Sequence, residues 1–229
     1  PERIFNWSCN AGIWLTFVLN AGGCVVERQG GKATVRLDDP RTREGLRRAL
    51  ELCRTLGSPV LSMKRGSYQQ EFFSGRNAMV LIPREEVNFD SPLPWKSVPV
   101  PLIPGGSGLT TQATDLLCVR RHVGDLELVR RVIRQFLSPE LQEHLGQLRY
   151  GIPIRKSAAI RSFDGEDHRD LVFLTEMTRL SADFNLDSPE LSEMVSTGIN
   201  QIWEGGDIET VTSELATALR TVFRYQKTS

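Results

Sequence analysis

The sequence has no surplus of charge and no long apolar run. Of its 229 residues, 28 are Lys or Arg and 28 are Asp or Glu, so the formal net charge at pH 7 is zero. Binding to nucleic acid or to an acidic membrane surface usually needs a net positive charge or a basic stripe, so this balance argues against both. No apolar run approaches the ~20 residues that a membrane-spanning helix needs.

Cysteine is scarce and scattered. The four cysteines are Cys9, Cys24, Cys53 and Cys118, and no two of them lie close together in the sequence. A zinc site needs tighter spacing with histidine partners, so the pattern predicts no metal centre. Cys53 and Cys118 lie on apolar faces, where cysteine usually acts as a small hydrophobe. We therefore expect buried thiols, with a disulfide or a reactive thiol as the less favoured alternative.

The motifs of common catalytic and nucleotide-binding sites are also missing. The sequence contains no GxGxxG or phosphate-binding P-loop, no GxSxG and no HExxH. The glycines at 105–108 are too few for a phosphate loop and predict a turn. Asp164, Glu166 and His168 form one acidic cluster, but it lacks EF-hand spacing and predicts a solvated loop that caps the next helix. Without a nucleophile, base and orienting group together, we predict no enzyme and no cofactor.

The first quarter of the chain predicts a helix, a hairpin and a second helix. Apolar residues recur at helical spacing in 8–23, and Gly22 with Gly23 ends that helix. Two short β-prone runs flank a Gly-Gly pair, and Asp39-Pro40 then starts the next helix. The other predicted elements are a short helix ending at Gly75, a strand at 77–82, a strand that leads into a rigid Pro/Gly loop within 95–108, and a strand at 111–119. They continue with two helices within 124–148, the second capped by Ser138-Pro139, an irregular stretch at 149–160, and helices near 167–184, from 188 and after 206. Strands that alternate with helices and a helix-rich C-terminus predict an α/β fold.

Aromatic residues offer a second route to function. Trp7 and Trp14 flank the start of the first predicted helix, whereas Trp203 precedes two glycines. An indole can anchor a core, or it can stack on the C–H face of a sugar ring. Both roles stay open, and Trp7 and Trp14 are the better candidates for stacking.

The order of the motifs resembles one protein family. FVLNAGGCVV with TVRLDDPRTREGLRRALEL is similar to the helix, Gly-Gly, hairpin and D-x-P helix of extracellular solute-binding proteins (family 1, the sugar and oligosaccharide binders of ABC transporters). FFSGRNAMV resembles the F-x-x-G-x-x-A-M segment of that family, and VPVPLIPGGSG resembles its strand and Pro/Gly loop. LELVRRVIRQFLSPELQEHLGQLRYGIPIRKSAAI and GGDIETVTSELATALRTV resemble its later helices. Each motif is short, but together they span nearly the whole sequence in the family's order.

The resemblance implies a type II periplasmic-binding-protein-like fold in which two α/β lobes enclose a ligand. Residues 1–113 and 153–229 would form most of the C-terminal lobe. Residues 114–152 would belong to the N-terminal lobe, whose first part would lie outside this sequence. We expect an exposed apolar strip along 114–152, where that part would pack.

The resemblance also implies a function and a site. The protein would be the non-catalytic sugar-binding component of an ABC importer, extracellular or periplasmic, partnered by a permease and attached to the membrane only through a lipid anchor outside this sequence. A cytoplasmic ligand-sensing domain of a transcriptional regulator is the alternative. The residues facing the ligand would be Trp7, Ser8, Asn10, Gly12, Trp14, Arg84, Glu85, Gly108, Thr110 and Thr111.

Overall fold

A computed structural model describes residues 3–7, 11–30, 32–56, 67–111, 117–149, 151–163, 167–181 and 189–225. In chain order the elements are β1 (Arg3–Trp7), α1 (Ala11–Asn20), β2 (Val26–Gln29), β3 (Lys32–Val35), α2 (Pro40–Thr55), α3 (Ser67–Phe73), β4 (Asn77–Leu81), β5 (Thr110–Thr111), α4 (Leu126–Phe136), α5 (Pro139–Gln147), α6 (Lys156–Ser162), α7 (His168–Glu176), β6 (Leu180–Ser181), α8 (Pro189–Trp203) and α9 (Ile208–Tyr225). Two 3₁₀ turns, Arg84–Glu86 and Met177–Arg179, follow β4 and α7.

The described residues form three strand pairs, two of which connect distant parts of the chain. β1 and β4 are parallel, with Arg3 opposite Asn77 and Trp7 opposite Leu81. β2 and β3 form the predicted antiparallel hairpin, and β5 lies parallel to β6. The parallel pairs need crossover connections, which the intervening helices supply.

One hydrophobic core joins the two ends of the sequence. α1 contributes Leu15 and Val18, which are 1% and 0% exposed, and α2 contributes Leu46. Ile199 of α8 and Leu219 of α9 are fully buried in the same cluster. We call β1–β4, α1–α3, α8 and α9 the core unit.

Side-chain caps begin several of the described helices. The Asp39 carboxylate accepts a hydrogen bond from the backbone N–H of Arg41 at 2.9 Å, and Ser138 does the same for Leu141 at 3.2 Å. Asp125 and Asp167 cap α4 and α7 in the same way. Caps of this kind satisfy N–H groups that have no partner inside the helix. The predicted starts at Asp39-Pro40 and Ser138-Pro139 are therefore confirmed.

α4–α7 form a second body, which we call the helical unit. α5 crosses α6 so closely that a Cβ on Gly146 would lie 2.2 Å from the Ser162 hydroxyl oxygen and 2.7 Å from Pro153 Cγ. The Ser162 hydroxyl donates to the Ala158 carbonyl at 2.6 Å and also approaches the Glu143 carbonyl. The lobe boundary predicted after residue 152 thus passes between two helices that pack together, and the division into lobes stays a prediction.

Two predicted strands differ from the structure. Residues 95–108, all of which the structure describes, contain the predicted Pro/Gly loop but no strand before it, because Pro99, Pro101 and Pro104 have no N–H to donate to a neighbouring strand. The strand predicted at 111–119 extends only over β5 in the described residues, and 117–119 are irregular.

The helix boundaries after residue 149 also differ. The stretch predicted as irregular contains α6, which lacks a side-chain cap and is stabilised by the burial of Ala158 and Ala159. The helix predicted over 167–184 ends at Glu176, because Leu180 and Ser181 pair with β5 instead. Tertiary pairing overrides helix propensity at this point.

The cysteines follow the prediction in part. Cys53 is 3% exposed in the core, as expected for a small hydrophobe. Cys24 is half-buried, whereas Cys118 is exposed because the residues around it are irregular and lie on the surface. Cys9 lies outside the described residues.

The expected apolar strip is present on the helical unit. α4 buries none of its side chains, and Leu128, Val132 and Phe136 are 53%, 57% and 39% exposed. Leu117 and Leu148 extend this exposed surface on either side. Soluble proteins rarely leave so many large apolar side chains uncovered in one region, so the prediction of an uncovered apolar strip within 114–152 is confirmed for its described part.

Candidate functional site

Two predicted binding segments leave the same edge of the β1–β4 pair. Trp7 and Leu81 are register partners at the carboxyl ends of these parallel strands. The chain continues from Trp7 towards α1 and from Leu81 towards Arg84 and Glu85. Ligands of open α/β proteins bind in the crevice beyond the carboxyl ends of the strands. The parallel register therefore brings together segments that are more than seventy residues apart in the sequence.

β5 forms the next side of this region. The hydroxyl oxygens of Thr16 in α1 and Thr111 in β5 are 3.0 Å apart and share a hydrogen bond. Thr110 is 7% exposed and Thr111 is half-buried. This contact places β5 alongside α1.

Gly108 lies at the opposite end of α1. Its N–H donates to the Asn20 carbonyl at 3.2 Å, and its φ is +70°, a conformation that favours glycine. A Cβ there would also lie 2.7 Å from Leu102 Cδ2. The Asn20 side chain donates to the Pro101 carbonyl and accepts from the Ile103 N–H, so the Pro/Gly loop is fastened to the end of α1. Gly108 therefore shapes the loop that leads into β5 at the C-terminal end of α1.

The structure moves Trp14 from the predicted site into the core. Its side chain is 2% exposed and belongs to the same cluster as Leu15 and Val18. A stacking platform needs an exposed ring face, which a residue on this buried side of α1 does not have. Core anchoring, the other role left open by the sequence, is the one that the structure supports for Trp14.

The remaining residues before α1 are described only in part. Trp7 belongs to β1 and Gly12 to α1 by their backbones. Ser8 and Asn10 lie outside the described residues. Their predicted roles stay predictions.

Arg84 and Glu85 have opposite environments. The side chain of Glu85 is exposed, whereas Arg84 is 6% exposed and inserted between the two units. Arg84 donates two hydrogen bonds to the Asp170 carboxylate, at 2.7 and 2.9 Å, and a third to the Gly151 carbonyl at 2.8 Å. A guanidinium that is bound in this way has its charge neutralised within the protein.

Arg179 is a positioning residue that sequence reasoning missed. It directly precedes β6 and donates to the Gly108 carbonyl at 2.8 Å, beside β5. A second bond goes to Glu176 at 2.8 Å, and a third, longer one goes to the Val100 carbonyl at 3.5 Å. An arginine at the end of a predicted helix is normally solvated, so its sequence position carried no signal for this contact.

Neither metal binding nor membrane insertion finds support in the described residues. They contain no group of three or more His, Cys, Asp or Glu side chains arranged to hold an ion. None of the described helices combines the length and the apolar character needed to cross a bilayer. Of the acidic cluster named above, Asp164 and Glu166 lie outside the described residues and His168 is exposed.

Solved structures identify the fold. UgpB from Mycobacterium tuberculosis, in complex with glycerophosphocholine, has a TM-score of 0.75 and 15% identity over 99% of this chain and 60% of its own. Maltose-bound MalE3 from T. maritima has a TM-score of 0.77 and 17% identity over 95% of this chain and 60% of its own. An ABC transporter solute-binding protein from Thermotoga lettingae, bound with α-D-tagatose, has a TM-score of 0.73 and 14% identity over 96% and 59%.

This is the periplasmic-binding-protein fold. The expected α/β class is thereby confirmed. No protein-family model matches the sequence, and no curated protein matches it either. Identities of this size establish a shared fold and nothing finer. The chain spans about 60% of the length of the solved structures that it matches.

Proposed function

We propose that this chain is part of the sugar-binding component of an ABC importer, and that it binds a small solute without transforming it. The observation that carries the proposal is the parallel register of β1 and β4. It sends the segments after Trp7 and after Leu81 to one edge of a fold whose solved examples are bound to small solutes. In this proposal that edge, together with Thr110 and Thr111, is one wall of the ligand groove.

The proposed mechanism is closure of two walls about a hinge. Along the chain, β5 comes between the core unit and α4, and β6 comes between α7 and α8; the two strands pair in parallel. A change of backbone angles in such paired crossovers would rotate the helical unit relative to the core unit. The ligand would favour the closed state by making more contacts there than in the open state.

The chemistry of the proposed wall suits a neutral, hydroxylated ligand. Thr110, Thr111 and the exposed carboxylate of Glu85 can exchange hydrogen bonds with hydroxyl groups. Trp7, Ser8, Asn10 and Gly12 would complete the wall, as the family resemblance implies. Arg84 is already neutralised by Asp170, so an anionic group would find no unpaired guanidinium at this position. These features favour a sugar over a phosphorylated or carboxylated solute.

The uncovered apolar face of α4 supports the two-lobe arrangement. Val132 and Phe136 would be buried if a further part of the protein packed against the helical unit. The matched structures are longer than this chain, which accounts for 60% of their length. We therefore propose that the face is covered by the remainder of the N-terminal lobe in the complete protein.

The setting of the proposed function follows from the importer role. A permease would accept the ligand-bound form, and the protein would act outside the cytoplasm, periplasmic or anchored to the membrane by a lipid outside this sequence. The comparisons give no support to the alternative of a cytoplasmic sensing domain of a regulator.

Thermal unfolding of the complete protein tests the proposal. We expect a sugar such as maltose or tagatose to raise the melting temperature, because a ligand at about 100 times its Kd stabilises the native state by ~2.7 kcal/mol. Glu85→Gln should reduce this shift, whereas Glu51→Gln, on an exposed face of α2, should leave it unchanged. Glycerophosphocholine serves as the charged comparison ligand. Stabilisation by that compound and by no sugar would contradict a carbohydrate ligand.

A further inference from the structure

A buried ion pair links the two units. Arg84 follows β4 in the core unit, and Asp170 lies in the first turn of α7 in the helical unit. Both nitrogens of the Arg84 fork contact the two Asp170 oxygens, and the side chains are 5% and 2% exposed. A third bond from Arg84 to the Gly151 carbonyl at 2.8 Å reaches the loop between α5 and α6. One guanidinium therefore fastens two separate segments of the helical unit.

Aromatic rings close this contact from solvent. The Arg84 guanidinium carbon lies 5.1 Å from the centre of the Phe163 ring, and Arg149 lies 4.1 Å above the Phe89 ring. Arg169 covers Trp95 at 4.7 Å. These stacked pairs exclude water around the Arg84–Asp170 bridge, and a buried bridge is more sensitive to the loss of a partner than an exposed one. We call Arg84, Asp170 and these surrounding residues the junction.

Carboxylates on the helical side hold the outer arginines in place. Asp167 accepts from Arg169 at 2.8 and 2.9 Å and from Arg149 at 3.0 Å. Hydrogen bonds from Arg169 hold the pKa of the Asp167 carboxyl below its ordinary value. The helical side of the junction is thus an ordered surface, prepared to receive the loop that follows β4.

The core side is fixed just as firmly. Tyr68 of α3 donates to the Glu86 carboxylate, and Gln69 donates to the Glu86 carbonyl. Phe73 of α3 contacts Trp95 edge-to-face with ring centres 5.8 Å apart. The 3₁₀ turn that carries Arg84 therefore moves with α3 and β4, and Arg84 cannot follow the helical unit without breaking these contacts.

We propose that Arg84 and Asp170 are positioning residues that set the angle between the core unit and the helical unit, and that Arg84 does not contact the ligand. This inference rests on the proposed function, because the angle matters if the two units are the walls of a groove. Arg84 lies shortly after the end of β4, at the edge where ligand would bind, and Asp170 belongs to the helix that leads into β6. A solute that displaces the 3₁₀ turn would therefore act on the hinge through this bridge.

The inference makes Arg84 different in kind from its neighbour Glu85. A ligand contact at Arg84 would require a solute to displace a bidentate carboxylate and a backbone carbonyl from a side chain that is 5% exposed. Glu85, which is exposed, is available without such rearrangement. Removal of Arg84 should therefore change the relative motion of the units before it changes any contact with a sugar.

Hydrogen exchange of the 229-residue chain, measured without ligand, tests the inference. Asp170→Asn keeps the size of the side chain but leaves the buried guanidinium without its counter-charge. We expect the amides of Glu86, Val87 and Leu171 to exchange roughly 100-fold to several thousand-fold faster, the range given by a buried pair that loses one partner. α2 and α9, within the core unit, should exchange as in the unmodified chain. Solution scattering should show a larger radius of gyration.

A matched control separates the junction from any other ion pair. Arg220 and Asp38 also form a bidentate bridge, at 2.7 and 2.9 Å, but both residues belong to the core unit. Asp38→Asn should speed exchange near β3 and α9 and leave Glu86, Val87 and the radius of gyration unchanged. Arg84→Lys, which keeps the charge and loses the fork, should give an intermediate effect at the junction.

The outcomes separate this inference from the proposed function. Faster exchange in α7 alone, with Glu86, Val87 and the scattering curve unchanged, would overturn the positioning role. The ion pair would then stabilise only α7. Unchanged exchange in both Asp170→Asn and Arg84→Lys would overturn it as well, since circular dichroism first establishes that both variants are folded. Because hydrogen exchange is measured without ligand, its result tests the Arg84–Asp170 bridge even if the chain binds no sugar.

Discussion

The crossing of α1 and α2 depends on the absence of one side chain. Gly45 lies on the buried stripe of α2, directly against α1. A Cβ at this position would lie 2.5 Å from the Val18 Cα and 2.7 Å from the Phe17 carbonyl oxygen. Both atoms are backbone atoms of a buried helix, so no flexible side chain can move aside. Gly45→Ala must therefore push the two helices apart.

The magnitude follows from two opposing effects. Carbon atoms in contact prefer a separation of about 3.5–4.0 Å, so the axes would have to shift by roughly 1 Å along a well-packed interface. Overpacking typically costs ~1–3 kcal/mol, and a clash with backbone atoms places Gly45→Ala in the upper half of that range, at about 2–3 kcal/mol. Alanine gains about 1 kcal/mol over glycine in helix propensity, which offsets part of that cost. We expect a net loss of about 1–2 kcal/mol in the free energy of unfolding, or roughly 2–8 °C in melting temperature for a chain of this length.

Thermal unfolding followed by circular dichroism in the far ultraviolet measures this loss. Gly124→Ala is the matched control, because nothing lies within 4 Å of the Cβ that it would add. That control should melt within about a degree of the unmodified chain, since an uncontacted surface change is worth at most ~0.5 kcal/mol. A Gly45→Ala variant that melts at or above the temperature of the unmodified chain would refute the close crossing.

Two further predictions concern charged side chains. Hydrogen bonds from Arg220 hold the pKa of Asp38 below its ordinary value of 3.8, so this pair stabilises the fold above that pH and the contribution is lost as the pH falls through the lower, folded value. In the Asp38→Asn variant, the free energy of unfolding should therefore fall less steeply below pH 3.8 than in the unmodified chain. Urea unfolding at a series of acidic pH values measures this slope, and an unchanged slope would contradict the assignment. Arg149 has a φ of +58°, a conformation that strains any residue with a Cβ. Arg149→Gly and Arg149→Ala both lose the stack on Phe89, but only the alanine variant keeps the backbone strain. Urea unfolding should find Arg149→Ala less stable by about 1 kcal/mol, and the reverse order would exclude a strain cost at this residue.

Local signals predicted much of the fold correctly. Asp39-Pro40 and Ser138-Pro139 begin helices because a short side chain and a fixed φ act within one turn. Gly22, with φ +83°, ends α1 for an equally local reason. Such features depend on a few neighbouring residues, so the sequence alone predicts them.

Elements that depend on distant partners were predicted less well. β6 is two residues long and exists because Leu180 and Ser181 meet β5, some seventy residues earlier. α6 has no capping side chain and is held by its packing on α5. Neither signal is present in the local sequence, because the stabilising contacts come from outside the segment.

The candidate site shows the same division. A family resemblance assigned the segments after β1 and β4 to a ligand cleft. The parallel register brings the ends of these two strands to one edge, and ligand binding at that edge stays a prediction. The roles of individual side chains depended on burial. Trp14 is in the core because the apolar residues of α1 surround the helix on more than one side, which leaves little of it for solvent.

Arg84 shows that a charged residue in the sequence need not present its charge to a ligand. Read in order, an arginine followed by two glutamates after a strand is typical of a solvated turn. In the structure its counter-ion, Asp170, comes from a helix 86 residues later, and both are almost fully buried. Burial of a guanidinium without a counter-ion would be very costly, so the burial of Arg84 depends on Asp170. The chain path that places β5 beside β6 also brings these two residues together. We therefore propose that the pair belongs to the hinge, and in that proposal the surface left for a ligand is the uncharged and acidic one around Thr111 and Glu85.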